Sequence, residues 1–188
     1  MLRILDREAA ILGILCQQSQ YGYELEKTIE ERDMRAWTTI GFSSIYYALK
    51  KLENKGLIES SVEDVKGKPS RKIYSVTESG YAAMKEKLKE VLSQNKKLIS
   101  PFDLGIAYHF LLESKEVIEC LTHYLESLNE RETLLKHTMK EREKQGVPYR
   151  VIALFSHPLA LIEAEKRWVI QFIQDQEKWR NAHGKTRP

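Results

Sequence analysis

Residues 44–58 read SIYYALKKLENKGLI, and residues 71–80 read RKIYSVTESG. At about 100 degrees of rotation per residue, the first stretch forms a helix with one apolar side. That side holds Ile45, Ala48, Leu49 and Leu52. The pattern predicts a helix over 42–55 that ends at Gly56, because glycine readily takes the left-handed conformation that closes helices. The apolar side is the predicted core, so the opposite side faces outward.

After this helix the pattern changes from helical to extended. Residues 57–62 and 71–76 are β-prone runs, and the loop between them contains glycine and proline. They predict a two-stranded hairpin with a basic loop. Thr77 then predicts the N-cap of a fourth helix, which runs to about residue 92. Gly80 stands where an acid would complete a reciprocal capping box, so that box is absent.

Two helices are predicted before the third. Residues 3–17 carry a largely apolar stripe, and residues 21–32 repeat apolar side chains every four positions, with Ser19 as the expected cap. The resulting order is three helices, a hairpin and a helix. This order is typical of a winged helix-turn-helix domain. The predicted fold class is therefore mainly α with a small two-stranded β-wing, followed by a C-terminal helical dimerisation domain.

The chain divides at a polar segment that ends in a proline. This segment, 93–101, is the predicted linker between a DNA-binding domain over 1–92 and a helical dimerisation domain over 102–181. Residues 182–188 form the predicted tail.

The second half is predicted to be helical throughout. Helices are expected over 102–112 and 114–144, and a last long helix follows Gly146. Pro158 is expected to kink that helix or to start a new one. Long amphipathic helices often pack on a second copy of themselves, which predicts a homodimer. The residues assigned to its interface are Leu121, Leu125, Leu128, Leu159, Ile162, Val169 and Ile173.

Composition excludes several classes of protein. The 188 residues include 30 Lys and Arg against 27 Asp and Glu, for a net charge of +3, so the chain is not a strongly basic tail. Charge is concentrated locally, because residues 35–72 carry eight basic and four acidic side chains. Such a patch can engage a phosphate backbone, although a charged run is also typical of an ordinary solvated surface.

The expected location is the cytoplasm. Two cysteines are too few for a secreted disulfide framework. No run reaches the roughly 18 apolar residues of a membrane span. The first ten residues mix charged and apolar side chains, unlike a signal peptide.

The outward side of the third helix carries groups that suit DNA. It collects Ser43, Tyr47, Lys50 and Asn54, with Tyr46 and Lys51 on the shoulders. Hydroxyl, amide and ammonium groups are what a recognition helix presents to base edges and phosphates in the major groove. The hairpin adds Lys66, Lys68, Arg71 and Lys72 on the next element, where a wing would reach adjacent phosphates.

Several motifs in order resemble those of the PadR family of bacterial transcriptional regulators. They are Gly22-Tyr23-Glu24-Leu25, the stretch over 44–58, the wing over 67–74 and Thr77-Glu78-Ser79-Gly80. The resemblance covers residues 5–90 by motif, and residues 100–180 resemble the family's helical dimerisation domain by pattern. Many members carry proline where this chain has Tyr47 and Thr38, so the family's path into the third helix and its base contacts are not carried over to this chain.

The resemblance implies a homodimer that binds a roughly palindromic operator in double-stranded DNA. Members usually act as repressors that release DNA when they sense a small molecule or another signal. In the family, the tyrosine at the position of Tyr46 commonly touches the DNA backbone, and Tyr23 lies near the same surface. The residues assigned to DNA binding are Tyr23, Ser43, Ser44, Tyr46, Tyr47, Lys50, Lys51, Lys66, Lys68, Ser70, Arg71 and Lys72.

Other chemistries have weaker support in the sequence. An aromatic effector pocket is one hypothesis for Trp37, Trp168 and Trp179, and Trp168 is the candidate. A tryptophan on the apolar face of a helix more often belongs to a core or a dimer seam. Glu119, His123 and Glu126 share a helix face without the convergence of a metal site. Cys16 lacks the surroundings of an activated thiolate. We therefore predict no metal and no cofactor.

No enzyme motif is visible, since the chain lacks a phosphate-binding glycine loop, a nucleophile elbow and a dinucleotide fingerprint. The alternative to a DNA-binding regulator is a winged-helix protein-interaction module without DNA binding. The basic residues on the expected DNA side favour the regulator.

Overall fold

A computed structural model describes residues 4–41, 44–63, 71–95, 97 and 99–183. They form two compact units, Met1–Lys97 and Leu98–Pro188. The elements of the first unit are α1 (Asp6–Leu15), β1 (Gln20–Tyr21), α2 (Gly22–Glu31), α3 (Ser44–Asn54), β2 (Ile58–Glu63), β3 (Arg71–Val76) and α4 (Glu78–Ser93). Those of the second are α5 (Pro101–Tyr108), α6 (Ser114–Lys144) and α7 (Tyr149–His183). No helix in the described ranges is long and apolar enough to cross a membrane.

The mainly helical fold class is confirmed, but the small sheet has three strands rather than two. Its order is β1-β3-β2, and both pairings are antiparallel. The extra strand, β1, takes up Tyr21, the expected first residue of the second helix, and Tyr21 rather than Ser19 is the N-cap of that helix. Instead, the Ser19 hydroxyl lies 2.8 Å from that of Ser75, and the N–H of Tyr21 donates to Glu24 at the start of α2. A two-residue strand is too short to give an alternating pattern, so the sequence did not reveal it.

The apolar side of α3 is buried as predicted. Its four apolar residues, Ile45, Ala48, Leu49 and Leu52, are each at most 1% exposed. They belong to a core that includes Leu12 of α1 and Leu25 of α2. At roughly 25 cal/mol for each Å² of apolar surface, this burial strongly favours one rotational setting of α3. The predicted outward face is therefore the face that solvent reaches.

The junction between the hairpin and α4 is held by a threonine and a glycine. The Thr77 hydroxyl accepts a hydrogen bond from the N–H of Gly80 at 3.0 Å and donates to the carbonyl of Gly56 at 2.8 Å. A Cβ at Gly80 would lie 2.0 Å from the carbonyl oxygen of Leu57. Any larger residue would push the start of α4 away from β2, which explains why a glycine replaces the capping-box acid. Gly56 has the expected positive φ, 66°.

The second unit is built on the pairing of α6 with α7. Its core joins Val117 and Leu121 to Val169, with Phe102 and Phe172 packed against it. The Tyr124 hydroxyl donates to Glu165 at 2.6 Å across the two helices. Pro158 lies inside α7, which is a single helix from Tyr149 to His183, so no new helix begins at the proline.

The apolar stripe that the sequence assigned to a dimer interface is instead used within one chain. Leu121, Leu128, Leu159, Ile162 and Val169 are all buried in this single chain, and Leu125 and Ile173 pack against the same α6–α7 core. The physical reason is that α6 and α7 run long enough to cover each other's apolar faces.

A buried ion pair connects α1 to the residue that follows α3. Oε2 of Glu8 accepts hydrogen bonds from Nζ of Lys55 at 2.7 Å and from the N–H of Leu5 at 3.0 Å. Burial alone would raise the pKa of Glu8, but the hydrogen bonds from Lys55 and Leu5 and the charges of Lys55 and Lys51 lower it below 4.5. Oε1 of Glu8 is buried without a hydrogen-bond partner among the described residues. Lys55 is therefore the principal group that compensates this carboxylate.

We expect Lys55→Met to lower the free energy of unfolding by about 3 kcal/mol near neutral pH, because it leaves a buried carboxylate without its cation. The lowered pKa of Glu8 adds stability that is fully present above its unfolded value of 4.5 and is lost as pH falls through the folded pKa. The difference in free energy of unfolding between the wild type and the Lys55→Met variant should therefore become smaller as the pH falls. Urea unfolding across this pH range measures it.

Lys85→Met is the matched control, since Lys85 is exposed on α4. This substitution should change the free energy of unfolding little at any pH. A loss for Lys55→Met that is equally large at acidic and neutral pH would contradict the role given to the ion pair.

Candidate nucleic-acid interface

The outward face of α3 presents two adjacent tyrosines and two lysines. Tyr46 is 59% exposed and Tyr47 is 52% exposed. Lys50 is exposed and Lys51 is half-buried. Ser44, at the start of the helix, donates its hydroxyl hydrogen to the carbonyl of Gly41, so this predicted contact residue is also tied into the preceding loop.

Tyr46 leans towards the start of α2. A Cβ built on Gly22 would lie 2.9 Å from Cε1 of Tyr46, so a larger residue at this position would require the ring to move. The space beside the ring is a shallow open pocket of about 160 Å³. It is lined by Tyr21, Gly22, Tyr23, Tyr46, Arg71, Lys72 and Tyr74. Four of the predicted DNA-binding residues, Tyr23, Tyr46, Arg71 and Lys72, therefore share one concave surface.

Arg71 is held in this pocket by Tyr23. Its Nη1 donates to the Tyr23 hydroxyl at 3.1 Å, and its Cζ lies 5.2 Å from the centre of the same ring. The cation–π contact and the hydrogen bond fix the guanidinium without neutralising it. No described carboxylate forms a salt bridge with Arg71 or Lys72. Glu63 is the cross-strand partner of Arg71, but its carboxylate accepts the Tyr21 hydroxyl hydrogen, so both cations can still contact an anion.

Sequence reasoning missed Tyr21 and Glu63 at the edge of this pocket. The pairing of β1 with β3 sets Tyr21 opposite Ile73, and its ring stacks on Tyr23 with 5.7 Å between ring centres. Its hydroxyl donates to Glu63, and this hydrogen bond to a carboxylate raises the pKa of Tyr21. Tyr21 thus packs against the ring of Tyr23, the residue that orients Arg71. Only the register of the undetected strand could have revealed this.

Tyr47 faces a different set of cations. Nζ of Lys51 lies 4.7 Å from the centre of its ring, and Cζ of Arg7 lies 5.8 Å from it. Arg7 belongs to α1 and was not among the predicted site residues. Its position in the sequence carries no signal, because only the packing of α1 against α3 brings it to Tyr47.

Four predicted DNA-binding residues lie outside the described part of the chain. They are Ser43, Lys66, Lys68 and Ser70. The structure therefore places the helix and both strands of the wing, and the tip of the loop stays a sequence prediction.

The effector candidate Trp168 lies in an aromatic group of the second unit. Its ring stacks on Phe172 with 4.9 Å between centres and meets Phe102 edge-on at 6.0 Å. Phe102 in turn stacks on Tyr124, whose pKa rises to about 12 through burial and its hydrogen bond to Glu165. Trp168 is still 44% exposed, so one part of the ring reaches solvent.

Glu119, His123 and Glu126 of α6 pair with neighbours on their own helix. Nδ1 of His123 lies 3.1 Å from Glu126, and Glu119 lies 3.6 Å from Lys115. Within the described ranges, no group of three His, Cys, Asp or Glu residues is arranged to hold a metal ion.

Comparison with known proteins gives consistent matches. The family model of the transcriptional regulator PadR-like family matches residues 11–86. A probable transcriptional regulator of Mycobacterium tuberculosis is 31% identical over 87 residues, and the alignment covers 46% of each chain, about half the length of that relative. The negative transcriptional regulator PadR of Bacillus subtilis is 28% identical over 173 residues, which cover 85% of this chain and 90% of the relative.

Solved structures of Bacillus subtilis PadR share the fold. The complex with operator DNA superposes with a TM-score of 0.69 at 20% identity, over 90% of this chain and 98% of that one. The complex with p-coumaric acid gives a TM-score of 0.72 at 21% identity, over 92% and 99%. At this level of identity the likeness establishes the winged-helix fold.

We expect Gly22→Ala to weaken binding to duplex DNA about tenfold, or about 1.4 kcal/mol. The added methyl group would displace the Tyr46 ring from the pocket. Fluorescence anisotropy with a labelled duplex measures the change. Gly105→Ala is the matched control, because a Cβ there meets nothing within 4 Å. Equal affinities for the two variants would show that the position of Tyr46 does not matter.

Proposed function

The chain belongs to the PadR-like family of transcriptional regulators, and from this premise we propose that it is a sequence-specific, homodimeric repressor that a small molecule releases from its operator. It is a regulator and not an enzyme. The proposed DNA-binding elements are α3, which would enter the major groove, and the wing formed by β2 and β3.

The observation that carries this proposal is the pocket beside Tyr46. It brings Arg71 and Lys72 of the wing to the same surface as the exposed face of α3. Neither cation forms a salt bridge with a described carboxylate, and Arg71 is oriented by Tyr23. Oriented cations outside any salt bridge, next to an exposed helix, suit a phosphate backbone, because phosphate contacts position the helix whose side chains read the bases.

A homodimer is supported by a second apolar stripe on α7. Leu154, Leu161 and Trp168 are spaced seven residues apart, and each is at least 40% exposed. A seven-residue spacing keeps side chains on one side of a helix, as in helices that pack along a seam. We infer that a second copy covers this stripe. The dimer would then present two copies of α3, which fits a palindromic operator.

The proposed effector is a small aromatic molecule. Bacillus subtilis PadR has been solved with p-coumaric acid, and the second unit of this chain offers the partly exposed ring of Trp168 beside Phe102 and Phe172. Because Trp168 also belongs to the exposed stripe, a ligand that packs on it would alter the contact between copies. That change would alter the spacing of the two DNA-binding surfaces.

Charge reversal of the wing tests DNA binding. We expect Arg71→Glu with Lys72→Glu to abolish binding to the DNA upstream of its own gene, because the pocket would repel phosphate. Anisotropy titrations at several salt concentrations, beside a scrambled duplex, measure affinity and salt dependence. Lys85→Glu with Lys140→Glu changes the net charge equally at two exposed sites elsewhere, and this control should still bind.

Retained binding by the folded wing variant would refute the assignment of this surface. A folded wild-type protein that binds neither duplex at low salt would favour the alternative, a protein-interaction module.

A charge introduced into the exposed stripe of α7 tests the proposed dimer. Leu161→Glu should convert a dimer to a monomer, because an unpaired carboxylate would be buried at the seam. Sedimentation velocity measures the mass of each species. Leu92→Glu places the same charge on an 86% exposed leucine of the first unit and should leave the dimer intact. A dimeric Leu161→Glu protein would move the interface to another surface.

A further inference from the structure

The cations around Tyr47 are not used by the wing pocket, and they suggest a second contact with DNA. We propose that Arg7, Tyr47 and Lys51 form a separate site for a DNA backbone phosphate, on the strand opposite to the one that Arg71 and Lys72 contact. This inference rests on the proposed function, and it extends the DNA-binding surface to α1.

The geometry of α3 separates the two sites. Tyr46 and Tyr47 are consecutive, so their side chains leave the helix about 100 degrees apart. Tyr46 leans towards Gly22 and lines the pocket with Arg71. Tyr47 lies against Arg7 instead. The exposed side of α3 therefore has a cationic group on each shoulder, one supplied by the wing and one by α1.

Arg7 and Lys51 approach the Tyr47 ring, and no described carboxylate forms a salt bridge with either of them. The charge of Lys51 also contributes to the lowered pKa of Glu8. The acids next to Arg7 in the sequence are engaged elsewhere. Asp6 pairs with Lys87 at 3.0 Å, and Glu8 pairs with Lys55 at 2.7 Å.

Two like charges at one exposed ring repel each other, and an anion between them removes that cost. The ring contributes only a modest attraction to each cation at an exposed site, which orients the cations without satisfying their hydrogen-bond donors. A phosphate can accept from the guanidinium, the ammonium and the Tyr47 hydroxyl together. The site is thus suited to a phosphate more than to a neutral partner.

The shape of DNA explains why two such sites lie on opposite shoulders. The major groove of B-DNA is about 12 Å wide, close to the diameter of an α-helix with its side chains. A recognition helix in the groove therefore has one phosphate backbone on each side. Arg71 would meet one backbone and Arg7 the other, so α3 would be centred between the strands.

Single substitutions test the proposal in the full-length protein. We expect Arg7→Ala and Lys51→Ala each to weaken binding to the upstream duplex about tenfold, as for a lost charge-assisted hydrogen bond. Each should also reduce the slope of log affinity against log salt by about 0.9, the change for one phosphate contact. Lys85→Ala removes the same charge from an exposed site on α4 and should change neither quantity.

Hydroxyl-radical footprinting distinguishes the two shoulders. Arg7→Ala should lose backbone protection on one strand, and Arg71→Ala should lose it on the other strand across the same major groove. Loss of the same protections in both variants would overturn the arrangement on opposite strands.

Two further outcomes separate this inference from the proposed function. If Arg7→Ala and Lys51→Ala bind like the wild type while Arg71→Ala is impaired, the second site is overturned and the regulator stands. If the folded wild type binds neither the upstream nor the scrambled duplex, the proposed function falls and this inference falls with it.

Discussion

Burial of one face of α3 governs what the winged-helix unit can present to DNA. Ile45, Leu49 and Leu52 are inserted into the core formed with α1 and α2, so a rotation of one residue would bury a tyrosine or a lysine. Such a rotation would cost both apolar burial and the solvation of a polar group. The outward positions of Tyr46 and Tyr47 follow from this constraint. The ion pair of Glu8 with Lys55 adds a polar restraint at the C-terminal end of α3.

The position of the wing depends on the C-terminal end of α3. Gly56 closes α3 with a left-handed turn, and its carbonyl accepts the Thr77 hydroxyl hydrogen, so the start of α4 is tied to the end of α3. The close approach at Gly80 then fixes β2 against that start. Because β3 pairs with both β2 and β1, these contacts set the position of Arg71 relative to Tyr23.

Sequence alone predicted what depends on local pattern and missed what depends on packing. The 3.6-residue period gave the buried face of α3, and the Thr77 cap and the Gly56 turn were predicted from residue type. The two-residue strand β1 has no detectable period. Arg7 reaches Tyr47 only because α1 packs on α3, across 40 positions of sequence. The pairing of β1, and with it the role of Tyr21 behind Tyr23, followed from tertiary contacts.

The last helix shows why periodicity cannot assign an interface. Two apolar stripes run along α7, one through Ile162 and Val169 and one through Leu161 and Trp168, roughly 100 degrees apart. Both have the spacing expected of a helix seam, but α6 covers only the first. The stripes adjoin at consecutive residues, and the Trp168 ring stacks on Phe172, which packs against the buried core. A molecule that packs on Trp168 would therefore act on the exposed stripe and on the packing of α6 with α7 together, as the proposed coupling between an effector and the spacing of two DNA-binding surfaces in a dimer requires.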